Sequence, residues 1–268
     1  MKKALFFQKL IQVLKRMKIL KLFFLFFFFC GFYLRYKIKN ALVIKGKFEL
    51  KWNQLMIFIV NHACVEDVEL VLGVAASRGK LVHILISEKD FKKPEYNIVF
   101  KALGMIPRMG TGSNVVNMMT RVIEKGHILV LTPEGTRSRG LVTHGFTGLI
   151  RVYFNVNKNG YEVPILPCFI EGAGQTYPTE NSYFLKMKHP QGNKIRIHVG
   201  KPFYLKIPEK IDKITLRKYS DYVMLKLARM GGKKRLYPNA KLSNFHNQGK
   251  FIRKYEEING LNGIEENF

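Results

Sequence analysis

His62 and Asp67 stand five positions apart, directly after an apolar run at residues 55–60 that predicts a buried strand. The pair therefore falls where a strand gives way to a loop and then a helix. Open α/β sheets place ligand sites at the carboxyl ends of their strands. Imidazole has the unperturbed side-chain pKa closest to neutral pH, and a neighbouring carboxylate can fix its tautomer and orientation. The pair could therefore deprotonate an alcohol.

The same spacing also has a purely structural explanation. Asn61 could cap the N-terminus of a helix, with Asp67 as an acid of its first turn and His62 as a solvated loop residue. A histidine and an aspartate occur at this spacing by chance in many chains. The pair alone therefore does not decide between a catalytic and a structural role.

A second polar segment, residues 132–140, follows an apolar run at residues 127–131 that also predicts a strand. Proline and glycine mark a sharp turn in this segment. The turn would present the hydroxyls of Thr136 and Ser138, backbone N–H groups and the guanidinium of Arg137. Arginine binds phosphate through two parallel hydrogen bonds, and tight turns aim amides at anions. The segment could therefore bind a phosphate, with a polar surface turn as the alternative.

Together, the two segments resemble the glycerolipid acyltransferase family, in particular the PlsC-type 1-acylglycerol-3-phosphate acyltransferases. The family's first motif, Asn-His-x-Ser-x-x-Asp, matches residues 61–67, with Cys64 in place of the serine. Its third motif, Pro/Phe-Glu-Gly-Thr-Arg-Ser, matches residues 133–138. The two motifs occur in the family's order and at a similar separation. The resemblance extends over about residues 40–230.

The second family motif, Gly-x-Ile-Phe/Pro-x-Asp-Arg, is only partly present. Residues 104–110 read Gly-Met-Ile-Pro-Arg-Met-Gly, with arginine two places early and no aspartate. Arg108 could serve the same anion from a shifted register, or it could be an ordinary surface arginine. Residues 146–148, after the third motif, lack the lysine that the family often shows there.

The resemblance implies acyl transfer without an acyl-enzyme. His62 would act as general base on the free hydroxyl of a lysophospholipid, and Asp67 would hold the imidazole and stabilise its protonated form. The donor would be the thioester of an acyl carrier protein or of coenzyme A, the product would be phosphatidate, and no metal or cofactor is expected. The residues implied in binding the acceptor are Glu134, Gly135, Thr136, Arg137, Ser138 and, outside the motif, Arg108.

Three alternatives use the same residues. Another lyso-lipid or glycerol 3-phosphate could be the acceptor, since the motifs are shared across such acceptors. A nucleophilic thiol at Cys64, paired with His62, is a rival chemistry if the turn folds the two side chains together. A membrane-surface protein that only binds anionic lipid would not need a histidine held by a carboxylate. Of the other histidines, only His144 lies near the third motif and is a further candidate.

The chain carries a formal net charge of +26, which attracts polyanions such as nucleic acid or anionic lipid. No nucleic-acid-binding motif is present and aromatic residues do not interleave repeatedly with basic ones, so we expect no nucleic-acid partner. The three cysteines show neither metal-ligand spacing nor an even disulfide set, which indicates a reducing compartment. Residues 186–218 hold ten Lys/Arg, either as a solvated face or as a surface for anionic lipid or acyl carrier protein.

Residues 1–39 predict a membrane-associated helical segment. The first 21 carry seven Lys/Arg and no acid, with apolar residues at helical spacing, as in a basic amphipathic helix. As a helix, the Phe-rich run at residues 22–34 would reach about 20 Å, less than the ~30 Å hydrocarbon core of a bilayer. A signal peptide would need a cleavage site, and none follows this run. A buried core helix fits poorly with four consecutive phenylalanines flanked by cations. We therefore expect an anchor, monotopic or shallowly inserted, at the cytoplasmic face of the cell membrane, in contact with membrane phospholipids.

Alternating strand and helix patterns predict an α/β fold with a mostly parallel or mixed sheet flanked by helices. The predicted domains are the anchoring segment 1–39, an acyltransferase domain 40–230 and a polar tail 231–268. Strands are predicted at residues 41–45, 55–60, 81–86, 127–131, 163–170 and 194–199. Helices are predicted at residues 65–78, 94–103, 113–125, 145–155 and 215–230.

Overall fold

The computed structural model describes residues 42–46, 55–64, 67–76, 82–93, 97, 100–101, 104–110, 112–138, 141–176 and 194–237. The predicted anchor 1–39 lies outside the described residues, as do the tail beyond residue 237 and most of the helix predicted at 94–103. Within the described ranges, no helix combines the length and the apolar character needed to cross a bilayer.

The described strands form one mixed sheet in the order β1-β7-β6-β2-β5-β3-β4. Neighbouring strands pair in parallel except β6 and β7, which are antiparallel. The carboxyl ends of β2, β5 and β6 therefore meet at one edge of the sheet. The strands are β1 Leu42–Lys45, β2 Ile57–Val60, β3 Val82–Ser87, β4 Ile106–Arg108, β5 Ile128–Leu131, β6 Ile165–Glu171 and β7 Ile195–Val199.

Helices cover both faces of this sheet. Residues of α1 share one hydrophobic cluster with β2, β6 and β7. Residues of α3, α4 and α6 share a second cluster with the other face of β2 and β5. Among the described residues, the helices with defined bounds are α1 Asp67–Ala76, α2 Glu88–Phe91, α3 Gly112–Glu124, α4 Gly148–Lys158, α5 Ala173–Thr176 and α6 Lys213–Met230.

The central strand β2 divides the core between these two layers. Phe58 and Val60 face the α1 side, whereas Ile57 and Ile59 face α3 and α4. All four side chains are fully buried. A parallel strand covered on both faces reads as a continuous apolar run, which is why the sequence of β2 does not alternate. Burying each of these side chains contributes about 1.5–3 kcal/mol, which stabilises the strand that leads into the first motif.

The predicted fold class, an α/β fold with a mixed sheet flanked by helices, is confirmed. The sequence does not predict β4 or α2, because three or four residues are too few to show a period. Helix α4 begins at Gly148 rather than at residue 145. The backbone N–H groups just before it bond elsewhere: His144 donates to the carbonyl of Tyr237 and Phe146 to that of Pro133. These contacts hold residues 144–146 beside the third motif.

Candidate active site

Asn61 fixes the carboxyl end of β2 to β6. Its Nδ2 donates to the carbonyl oxygen of Ile170 at 3.0 Å, and its Oδ1 accepts from the backbone N–H of Ile170 at 2.7 Å. The side chain is fully buried, so both bonds satisfy groups that water does not reach. The structural explanation of the motif required Asn61 to cap α1, and it does not. Its side chain instead ties the residue before His62 to β6.

Asp67 closes a tight loop around the His62 ring. Its Oδ2 lies 3.1 Å from Nδ1 of His62 and accepts the backbone N–H groups of Ala63 at 2.6 Å and Cys64 at 2.9 Å. Its Oδ1 accepts from the Cys64 thiol at 3.4 Å. Asp67 is 1% exposed and the His62 side chain 20% exposed. The carboxylate is therefore shielded from water while the ring it holds still reaches solvent.

This contact sets the chemistry of the imidazole. When Nδ1–H of His62 donates to Asp67, the lone pair stands on Nε2, which becomes the basic nitrogen. No hydrogen-bond partner of Nε2 occurs among the described residues. Once Nε2 takes a proton, the charge of Asp67 stabilises the imidazolium. The pair has the geometry of a general base and the group that orients it.

Glu134 links the third motif to the first. Its Oε2 accepts the backbone N–H of His62 at 3.1 Å and lies 2.9 Å from Oγ of Ser138, while Oε1 accepts the backbone N–H of Thr143 at 3.2 Å. Ser138 also donates its backbone N–H to the carbonyl of His62 at 2.7 Å. Glu134 is fully buried. Its carboxyl group therefore ties the turn after β5 to the backbone of the histidine.

Gly135 lets the turn after β5 reverse so sharply. Its φ is +60°, a left-handed conformation that favours glycine, and its N–H donates to the carbonyl of Thr132 at 3.0 Å. A Cβ at this position would lie 2.7 Å from Cε2 of Phe146, which is closer than two carbons approach. The third motif thus needs glycine here for its backbone conformation and for space.

The structure places the remaining predicted site residues around this core. Thr136 and Ser138 are partly exposed, and Arg137 is exposed on the turn after β5. Arg108 is exposed at the carboxyl end of β4. That strand lies three positions from β2 in the sheet, a lateral distance of about 14 Å. Both arginines thus belong to the sheet edge that carries His62, with Arg137 on the turn that follows the neighbouring strand.

Sequence reasoning missed Thr143 and Asp221, which support the site, and gave no partner for His144. Thr143 contacts Glu134 through its backbone, which no side-chain pattern reveals. His144 forms a buried pair with Asp221 in α6, with Nδ1 2.9 Å from Oδ1 across 77 positions of sequence. Within the described ranges, no group of three or more His, Cys, Asp or Glu side chains could hold a metal ion.

Burial controls the protonation of Glu134. Desolvation raises its pKa from 4.5 to about 8, although hydrogen bonds from Thr143, His62 and Ser138 lower it; the charge of Asp67 raises it further. In its protonated form, Glu134 can donate to the Ser138 hydroxyl, which lies 3.1 Å from the carbonyl oxygen of His62. The link between the motifs therefore survives protonation.

The raised pKa of Glu134 predicts that stability falls as pH rises from about 5 to about 8. The folded protein holds a proton on this carboxyl that the unfolded chain has already released, so the unfolded state binds fewer protons across this window. Glu134→Gln, which mimics the neutral carboxyl, should reduce the loss of stability over this pH range. Calorimetric Tm values at several pH values for both proteins measure the difference. Equal slopes would show that Glu134 does not titrate in this window.

The chain is similar to known proteins both in sequence and in fold. Residues 41–171 match the protein-family model described as Acyltransferase. The fold is similar to the crystal structure of the 1-acyl-sn-glycerophosphate (LPA) acyltransferase PlsC from Thermotoga maritima, with a TM-score of 0.56 and 19% sequence identity. The match covers 78% of this chain and 77% of that one. No curated protein matches the chain.

These comparisons agree with the residues at the sheet edge. The stretch that matches the family model contains both motifs, from Asn61 to Ser138. At 19% identity, the structural likeness shows a shared fold. The family resemblance seen in the sequence is thereby confirmed: residues 41–171 match the Acyltransferase family, and the fold is similar to that of a glycerolipid acyltransferase.

Proposed function

We propose that this acyltransferase moves a fatty acyl group from a thioester to the free hydroxyl of 1-acyl-glycerol-3-phosphate, giving phosphatidate. The observation that carries the proposal is the arrangement at the adjacent ends of β2 and β5. There, the Nδ1 of His62 is held by the buried Asp67, the ring reaches solvent, and the next turn carries Arg137. A base beside a cationic turn suits an acceptor that has both a hydroxyl and a phosphate.

The reaction follows from this arrangement in two proton movements. Nε2 of His62 takes the hydroxyl proton as the acceptor oxygen attacks the thioester carbonyl and forms the new C–O bond. The C–S bond then breaks, and the leaving thiolate takes the proton back from the imidazolium. Asp67 stabilises the imidazolium between these steps. The donor is the thioester of an acyl carrier protein or of coenzyme A, and no acyl-enzyme forms.

The turn after β5 holds the acceptor phosphate in this proposal. Arg137 supplies a guanidinium, and backbone N–H groups and hydroxyls of Gly135, Thr136 and Ser138 supply further donors. Glu134 contributes indirectly: its buried carboxyl group holds the turn against the backbone of His62. Arg108 is a second cationic contact farther along the same edge of the sheet, on the side of β4.

Arg137→Ala should raise the KM for the lysophosphatidate acceptor about 10- to 100-fold, since a hydrogen bond to a charged group contributes ~1.5–3 kcal/mol. The KM for the thioester donor should change little. Steady-state kinetics with each substrate varied in turn measures both values. Arg121→Ala is the matched control, because Arg121 is also exposed but lies in the last turn of α3. Equal acceptor KM values for the two variants would remove Arg137 from the phosphate site.

Cys64→Ser should retain acyltransferase activity within about threefold of the original rate. The Cys64 thiol donates to Oδ1 of Asp67, and a serine hydroxyl can make the same hydrogen bond. The initial rate of product formation measures the effect. A loss of all activity in the serine variant would instead support a thiol nucleophile at Cys64, the rival chemistry.

Purified protein, a panel of acceptors and both kinds of thioester test the proposed substrate. Product should form fastest with 1-acyl-glycerol-3-phosphate, detected as phosphatidate by mass spectrometry. Faster turnover of glycerol 3-phosphate or another lyso-lipid would shift the assignment to that acceptor. Absence of product with every acceptor would favour a protein that only binds anionic lipid.

We also propose that residues 1–39 hold the enzyme on the cytoplasmic face of the cell membrane, where a lyso-lipid acceptor resides. The seven Lys/Arg of the first 21 residues and the Phe-rich run that follows support this location. Sedimentation of the full chain with its membranes tests it. Activity that stays in the supernatant would contradict an anchor.

A further inference from the structure

A second buried polar cluster lies beside the third motif, where α6 contacts His144 and Gly145. We call His144, Arg217, Ser220 and Asp221 the α6 cluster. Asp221 accepts from Arg217 twice, from Nε at 3.1 Å and from Nη2 at 2.7 Å, and its Oδ1 lies 2.9 Å from Nδ1 of His144. Each of the four residues is at most 3% exposed. The proposed reaction uses none of them directly.

The cluster holds one backbone atom of the segment beside the third motif. Nη2 of Arg217 donates to the carbonyl oxygen of Gly145 at 2.6 Å, and the Ser220 hydroxyl donates to the same oxygen at 3.2 Å. A Cβ on Gly145 would lie 2.9 Å from Cγ of Met224 and 3.1 Å from Cβ of Pro133. Gly145 is therefore clamped between α6 and the first residue of the third motif.

From Gly145, two hydrogen bonds lead on to the third motif. On one side, Phe146 donates its N–H to the carbonyl of Pro133 at 2.8 Å. On the other, Thr143 donates its N–H to Oε1 of Glu134. The other oxygen of Glu134 accepts the backbone N–H of His62. A continuous series of bonds thus joins α6 to the backbone of the base.

We propose that the α6 cluster positions His62 for acyl transfer, acting through Gly145 and Glu134. Replacing a buried ion pair with apolar side chains is often neutral for stability, so the pair alone does not explain why charges stand here. Two hydrogen bonds that converge on the carbonyl oxygen of Gly145 restrict its position. A displacement of about 1 Å in a reacting group can cost ~10²-fold in rate, so such control matters for the base. This role rests on the proposed function, because it names the residues that align its base.

Arg217→Lys should lower kcat about 10- to 100-fold and leave both KM values within about twofold, because lysine cannot reproduce the planar fork that joins Asp221 to Gly145. Ser220→Ala removes only the hydroxyl on Gly145 and should give a smaller loss in the same direction. It also serves if the lysine variant does not fold. Tyr153→Phe is the matched control. The buried hydroxyl of Tyr153 ties α4 to the backbone of Leu205, and this contact lies on the same face of the sheet as α6 but away from the motifs. This variant should lose stability with kcat unchanged.

A double-mutant cycle separates positioning from general weakening. If Arg217 acts through Glu134, then Arg217→Lys combined with Glu134→Ala, which removes the acceptor of the His62 N–H, should lower kcat little more than the worse single variant does. Losses in kcat that multiply would show that the two residues act independently. That result would overturn the proposal.

Hydrogen exchange at the backbone amide of His62 gives a readout that needs no activity. Arg217→Lys and Ser220→Ala should each speed exchange of this amide by about tenfold or more, since its acceptor is Glu134, whereas Tyr153→Phe should not. Unchanged exchange in both cluster variants would overturn the positioning role. A wild-type protein inactive with every acceptor would overturn the proposed function instead, and the exchange rates would still decide whether the cluster holds His62.

Discussion

His62→Ala should abolish measurable acyl transfer, with a loss in kcat of about 10²–10⁴-fold or more. The side chain is the only proposed acceptor of the hydroxyl proton, and methyl cannot replace Nε2. The loss should fall on kcat, because in the proposed mechanism the ring contacts the reacting oxygen rather than the phosphate or the acyl chain. Membrane binding should persist, since residues 1–39 are unchanged. Initial rates with saturating donor and acceptor measure the effect.

His198→Ala is the matched control for this substitution. His198 is also a partly exposed histidine beside a carboxylate, with Nε2 3.3 Å from Oε2 of Glu171 and 26% of its side chain exposed. It lies on β7 and has no proposed part in the reaction. Its removal should leave kcat within about twofold. A fully active His62→Ala protein would overturn the assignment of the base.

Asp67→Asn should lower kcat by a comparable ~10²–10⁴-fold while the protein stays folded. The amide oxygen of asparagine can still accept from the backbone N–H groups of Ala63 and Cys64, so the turn is preserved. The neutral amide cannot stabilise the imidazolium, and its NH₂ group can hold the ring in the wrong tautomer. Rates of acyl transfer and the Tm of the variant measure the two effects separately.

Two further variants show what the Asp67→Asn result means. Asp67→Ala should also lose stability, about 1–3 kcal/mol per buried N–H left without an acceptor. Asp212→Asn makes the same chemical change at the N-cap of α6, where asparagine caps as well as aspartate, so activity and stability should both persist. If Asp67→Asn transferred acyl groups at the wild-type rate, the charge of Asp67 would have no part in catalysis.

The sequence predicts the sheet and the two motifs because each rests on a local pattern. β2 and β5 are apolar runs buried on both faces, and each motif follows such a run directly. Parallel pairing of β2 with β5 then brings the two motifs together. The family resemblance adds the chemical roles, which hydrophobic periodicity alone does not supply.

The contacts that hold the site could not be predicted from these local patterns. Asn61 bonds a residue 109 positions away, and Glu134 accepts from a backbone N–H 72 positions before it. Both depend on which strands become neighbours in the sheet. The resemblance implies that Glu134 binds the acceptor, whereas the structure buries its carboxyl group against the backbone N–H groups of His62 and Thr143. For the same reason, the sequence does not reveal the role of Arg217 and Asp221, because their spacing in α6 is that of an ordinary helical ion pair.

In the proposed mechanism, His62 acts on the acceptor hydroxyl, so that the acyl group passes directly from thioester to lipid. The most direct test mixes the purified protein with acyl thioester alone, then adds 1-acyl-glycerol-3-phosphate, while thiol release and intact-protein mass are followed. Before the acceptor arrives, thiol release should stay at background and the protein should gain no mass. Afterwards, thiol and phosphatidate should appear in equal amounts. Thiol release with an acyl group bound to the protein, before any acceptor is present, would contradict direct transfer by His62.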